Sequence, residues 1–286
     1  VQSLLKPSDE GMIQERVTRA QVMTGLGDGF DLPQMSEREM FEKLLSEDTQ
    51  RDSNESKIAS AIGEQMLIMD LHQIPRSVRV RIRDIVGRLS PKNVVIVGGG
   101  IGHLTAWLMD LWCGDPAIPD DVVIERPETV RIIEEGGKFG VIIDRLLRRY
   151  DASSWAQVIT NSWTEVFAEN LSWNAASTTL PDSVRTLPLP QPIDLIIIDL
   201  PDSNRVEAAI QAFPLLSPGG VMITLEPQVP TGDVGVPESG REPTSAQVLV
   251  ASFNRWIEFV RETNTNHSAA LVELTGGTLA VFRRSA

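Results

Sequence analysis

Four glycines, Gly98, Gly99, Gly100 and Gly102, interrupt the apolar stretch "NVVIVGGGIGHLTAW" between residues 93 and 107. Without a Cβ, backbone can approach a ligand closely and take up positive φ. A buried strand, a glycine turn and a helix form a cradle for a nucleotide-like ligand. Carboxylates follow at the ends of later apolar runs: Glu134 after "TVRII", Asp199 closing "IDLIIID", Asp202 three residues on, and Glu226 in "ITLEPQ". An acid at such a place can accept hydrogen bonds from ligand hydroxyls, orient a nucleophile or take its proton. Asp199, Glu226 and Gln228 also offer oxygen ligands to a hard cation such as Mg²⁺. The spacing is too loose to specify one, so no metal is expected.

These residues need a scaffold that brings strand ends together. From Lys92 onward, short apolar runs alternate with amphipathic segments, the pattern of a parallel sheet covered on both faces. The runs are "NVVIV", "TVRII", "AQVIT", "IDLIIID" and "GVMITL". The closing pair "SAALVEL" and "GTLAVFRR" is joined by Thr275 and Gly276, a link short enough only for an antiparallel hairpin. The expected fold is therefore α/β: a doubly wound, mostly parallel seven-stranded sheet with a terminal antiparallel hairpin. Residues 1–90 read as a helical N-terminal region and 91–286 as the sheet domain. Within the former, residues 1–35 suggest an arm, Ser36 and Glu39 a capping box, and Pro75 the first turn of a helix. The arginines of "RSVRVRIRDIVGR" suggest a solvated helix face, or else a polyanion contact.

The glycine spacing departs from the dinucleotide fingerprint G-x-G-x-x-G, because His103 stands where its third glycine belongs. Gly98-x-Gly100-x-Gly102, the hairpin, "DLPD" and "SPGG" together resemble class I S-adenosylmethionine-dependent methyltransferases over about residues 90–286. That resemblance implies S-adenosyl-L-methionine as cofactor, bound over Gly98 to His103. It implies a ribose carboxylate after the second strand, for which Glu134 and Glu125 both stand as candidates. Glu134 is preferred because the helix-like "EGGKFGVIIDRLLRRY" begins right after it, whereas Arg126-Pro127 after Glu125 looks like a turn. The resemblance places Ser162 and Trp163 beside adenine, and Asp199, Asp202 and Glu226 on the acceptor side as catalytic carboxylates. Two positions depart from the family pattern. Ile96 and Ser162 stand where it usually carries acids.

A net charge of −13 argues against backbone-driven nucleic-acid binding, which needs clustered Lys and Arg. No apolar run approaches the roughly 20 residues that cross a bilayer. The single cysteine, Cys113, excludes an internal disulfide, and with no leader pattern visible a cytoplasmic protein is expected. A small-molecule acceptor is the natural partner, with self-association through the N-terminal helices as a further expectation. The punctuated loop Gln228–Pro243 suggests a mobile lid. Two alternatives stay open: an aminopropyltransferase resembling the polyamine synthases, and a non-catalytic binding module.

Overall fold

Continuous Val, Ile and Leu runs are stable only where both faces of a strand are covered, and the chain buries them that way. A computed structural model describes residues 36–51, 53–118, 123–176, 187–232, 234–235 and 242–285. The arm read from residues 1–35 and part of the Gln228–Pro243 loop lie outside the described residues. Contacts divide the chain into two compact units, Val1–Lys43 and Leu44–Ala286. In the first unit, helix α1 (Glu37–Leu45) begins at the expected capping box. Ser36 N donates to Glu39 Oε2 at 2.8 Å, and Glu39 N donates to Ser36 Oγ at 3.2 Å.

The second unit holds α2 (Lys57–Ile68), α3 (Arg76–Leu89), β1 (Asn93–Gly98), α4 (His103–Cys113), β2 (Thr129–Ile133) and α5 (Gly137–Arg149). It continues through β3 (Ala156–Ile159), α6 (Trp163–Ala176), β4 (Ile193–Asp199) and α7 (Asp202–Ala212). It closes with β5 (Leu216–Leu225), α8 (Ser245–Asn266), β6 (Ser268–Leu274) and β7 (Gly277–Arg283). The sheet order is β3-β2-β1-β4-β5-β7-β6. Strands β1 to β5 run parallel, and β7 inserts antiparallel between β5 and β6. After β1 the chain winds outward through β2 and β3, then returns to lay β4 on the other side of β1. That reversal opens a crevice at the carboxyl ends of β1 and β4, where open α/β sheets bind ligands.

Beneath β4 and β5, Trp256, Phe213, Phe259 and Phe282 form a ring-to-ring cluster with Ile196 and Met222. Burying such side chains contributes roughly 1.5–3 kcal/mol each. Ile96 is wholly enclosed in the centre of β1. Helices α2 and α3 pack on α4. Pro75 is the N-cap of α3, one position before the helix that it was expected to open.

The arginines of α3 correct the sequence reading. Arg79 and Arg83 are buried, not solvated and not free for a polyanion. Both guanidinium groups lie over the Trp107 ring, 5.5 and 5.3 Å from its centroid. A planar, weakly hydrated guanidinium tolerates such burial when its edge meets acceptors and its face meets an aromatic ring.

Candidate active site

The turn between β1 and α4 takes conformations that side chains resist: φ is +85° at Gly98, +119° at Gly99, +59° at Gly100 and +94° at Gly102. Space forbids a side chain at the first of these as firmly as the dihedral does. A Cβ on Gly98 would stand 2.2 Å from the carbonyl oxygen of Asp199, its neighbour in register on β4. Gly102 N donates to Gly99 O at 3.0 Å, closing the turn.

Glu134 follows β2 directly and clasps this loop. Gly100 N donates to Glu134 Oε2 at 3.1 Å, and no other hydrogen bond to that carboxyl is formed among the described residues. Burial raises its pKa to about 7; the Gly100 N–H opposes the rise, while Asp199 and Glu135 add to it. Glu125, the competing candidate, is exposed in coil before β2. Between the strand ends lies a cavity of about 590 Å³, lined by Gly98, Glu134, Ser162, Trp163, Leu200 and Asn204 among others. That volume falls within the range of small-molecule sites.

The remaining expected residues separate into two groups. Asp199 lies beside the glycine turn: its Oδ2 is 4.0 Å from where a Cβ on Gly99 would stand. Burial raises its pKa to about 6, against the charges of Arg205, His72 and Arg79, which lower it. Trp163 lines the cavity, buried and stacked on Phe167 at 5.9 Å. Ser162 also lines it, but its side chain caps α6. Glu165 N donates to Ser162 Oγ at 3.3 Å, and Ser162 N donates to Glu165 Oε2 at 2.9 Å.

Three residues are otherwise engaged. Asp202 pairs with Arg205 and accepts from Gln228 N at 3.1 Å, so it ties α7 to the segment after β5. Glu226 is half-buried just past β5, with its backbone N–H donated to Thr278 O at 2.8 Å. His103 contributes its backbone to the start of α4, but its imidazole is not among the cavity's lining groups. His103 Nε2 instead lies 2.6 Å from Glu55 Oε1.

Glu55 is what sequence reasoning missed, since it sits in a segment that reads as linker by composition. The same Oε1 accepts from Trp107 Nε1 at 2.8 Å and from Arg79 Nη2 at 3.2 Å. Burial pushes the Glu55 pKa upward, but the bonds from Trp107 and His103 and the charge of Arg79 hold it below the usual range. Burial holds His103 below the usual imidazole range, and Arg79 adds to this. Gly63 of α2 makes room for the ring, since a Cβ there would come within 2.8 Å of His103 Cε1. Among the described residues no three His, Cys, Asp or Glu side chains converge on a metal position. Nor is any helix among them long and apolar enough to cross a membrane.

Solved structures share this arrangement of elements. The Bacillus cereus O-methyltransferase in complex with S-adenosylhomocysteine superposes with a TM-score of 0.55 at 17% identity, covering 81% of this chain and 92% of that one. The O-methyltransferase TomG of Streptomyces achromogenes, in complex with S-adenosylmethionine, gives 0.55 at 14%, covering 82% and 92%. A Geobacter sulfurreducens methyltransferase gives 0.52 at 11%, covering 82% and 91%. The chain has the class I methyltransferase fold. No protein-family model matches it, and no curated protein matches it by sequence. The parallel strands and inserted hairpin expected from the sequence are those of this fold.

Proposed function

We propose that the protein is an S-adenosylmethionine-dependent methyltransferase acting on a small molecule in a cytoplasmic setting. The observation that carries this reading is the clasp of Glu134 on Gly100, set at the mouth of the cavity where the strand order reverses. The residues fit the cofactor. Positive-φ glycines leave no Cβ in its way, Glu134 keeps one carboxylate oxygen for ribose hydroxyls, and Trp163 presents a ring wall for adenine. When bound, the cofactor supplies a methyl group already activated on a sulfonium. The chain's own contribution is positioning and exclusion of water. Leu200 and Pro201 wall the cavity at the end of β4, and Asp199 sets a negative charge beside the glycine loop.

Calorimetry with S-adenosylmethionine, its decarboxylated analogue and NAD tests the reading. Heat with S-adenosylmethionine, and none with NAD, is expected. Preference for the decarboxylated compound would turn the assignment to aminopropyl transfer. Silence with all three would leave a binding module.

A further inference from the structure

Arg79 and Arg83 stand one turn apart on α3 and lie over the same Trp107 ring, yet their charges are met unequally. Both terminal nitrogens of Arg79 are engaged: one donates to Ile74 O, the other to Glu55 Oε1 at 3.2 Å. Arg83 makes one hydrogen bond among the described residues, from Nη2 to Oδ1 of its chain neighbour Asp84. At 3.4 Å that bond is long. Its Nε–H is buried with no acceptor among them. Asp84 is itself shared, since its Oδ2 accepts from Asp48 N at 3.1 Å. The Arg83 side chain is only 8% exposed, so bulk water does not make up the deficit. A charge so enclosed is costly unless acceptors are supplied. Arg83 lines a hollow of about 570 Å³, walled on its apolar side by Trp107, Leu111 and Ile118. Residues 54–57, which lead into α2, close another side. The first turn of that helix carries no acidic residue, so the positive end of its dipole is set beside the hollow. Lys57 adds a charge there, exposed and without an ion pair among the described residues. Carboxylates line the hollow too: Asp48 holds Arg51, Glu55 holds Arg79, Asp110 accepts from Tyr150 Oη, and Asp115 accepts from Ala117 N.

We propose that this hollow is a second ligand site, which takes a small molecule with one carboxylate and an apolar body. The carboxylate accepts from the Arg83 guanidinium, whose planar donors suit it. Lys57 and the opening turn of α2 add positive potential at the same end. The apolar body lies along Trp107, Leu111 and Ile118. A single negative charge is favoured over two because Asp48, Glu55, Asp110 and Asp115 repel a second. The hollow shares no lining residue with the cavity between the strand ends, so the site is distinct from the one beside Glu134. Its volume falls within the range of small-molecule sites.

The test titrates the full chain with benzoate and hexanoate, and with their uncharged counterparts benzamide and hexanamide, by calorimetry. At least one carboxylate is expected to bind, and its amide about tenfold more weakly or not at all. Arg83→Met keeps an apolar stem over Trp107 and removes the charge. It should weaken carboxylate binding about tenfold, with a urea midpoint to show that the variant folds. Exposed Lys57→Gln should weaken binding about threefold, and it decides the matter alone if Arg83→Met does not fold. Saturating S-adenosylhomocysteine should leave the carboxylate bound. Four results would each overturn the proposal: no binding by either carboxylate, equal binding of acid and amide, full affinity in the folded variants, or displacement by S-adenosylhomocysteine.

Discussion

Two carboxylates, one half-buried and one buried, meet neighbouring residues of the segment between β1 and α4 from different directions, and their electrostatics are opposite. Glu55 meets the first residue of α4 through His103, and Glu134 meets the glycine turn three residues earlier through Gly100. Glu55 gathers an indole N–H, a guanidinium and an imidazole on one oxygen, so its pKa lies below the ordinary value. Glu134 has one backbone donor, and burial raises its pKa to about 7. A buried charge with a full set of partners is part of the scaffold. One with an incomplete set lacks what a ligand can bring. Cavity volume does not make this distinction. A second hollow, of about 570 Å³, lies beside Glu55, Arg83 and Trp107, away from the strand ends.

Removing each carboxylate in turn is the most direct way to break that contrast. Glu55→Ala strands Arg79 and His103 without their shared acceptor, and should cost about 3 kcal/mol of stability in urea titration. A loss under about 1 kcal/mol would mean that Glu55 is no more than a surface partner. Glu134→Gln should do the reverse. At pH 8 it deletes a charge that the fold holds at a disadvantage, so stability should rise by about 2 kcal/mol. Affinity for S-adenosylhomocysteine should fall about tenfold, the size of one lost charge-assisted hydrogen bond. If instead the variant is destabilised and binds normally, Glu134 belongs to the scaffold like Glu55.

The pH dependence sharpens the same point. Glu134 and Asp199 keep their protons in the folded state up to about pH 7 and 6, whereas in the unfolded chain they release them near 4.5 and 3.8. In that window the unfolded state binds fewer protons, so stability should decline as pH rises from about 4 to 7 and level off beyond. Urea midpoints measured across the range should show the decline, and Glu134→Gln should flatten its upper half. The smallest effect is expected at Ser162→Ala. Loss of the α6 cap should cost about 1 kcal/mol, with cofactor affinity nearly unchanged, because the hydroxyl is already committed to Glu165. A large loss of affinity would restore Ser162 to the adenine contact that the sequence suggests.

Much of the fold was legible because local chemistry and global architecture agree. The runs that became β1 and β4 are apolar almost throughout, so they had to be central strands, and Thr275-Gly276 left room only for a hairpin. Gly98 was legible as the glycine of a tight turn, although its strictest constraint, the Asp199 carbonyl 2.2 Å from a Cβ position, comes from a strand a hundred residues away. The arginines of α3 were misread because alternating Arg, Val and Ile specify an amphipathic helix without saying what covers its cationic side. Trp107 and Glu55 cover it, and neither is near in sequence. Asp202 was legible as a carboxylate near the site but not as a strap, since its partner Gln228 lies beyond the next strand.

By itself the sequence determined which segments are strands and helices, that the sheet ends in an antiparallel hairpin, and which turn must be built of glycine. Those are consequences of periodicity, side-chain branching and the missing Cβ, all written within a few residues of where they act. Only the tertiary structure decided which carboxylates are satisfied. It set Glu134 facing a cavity and Glu125 in solvent, and turned the His103 ring to Glu55. Whether a buried charge has partners depends on groups that folding brings from distant elements, and no local pattern records them.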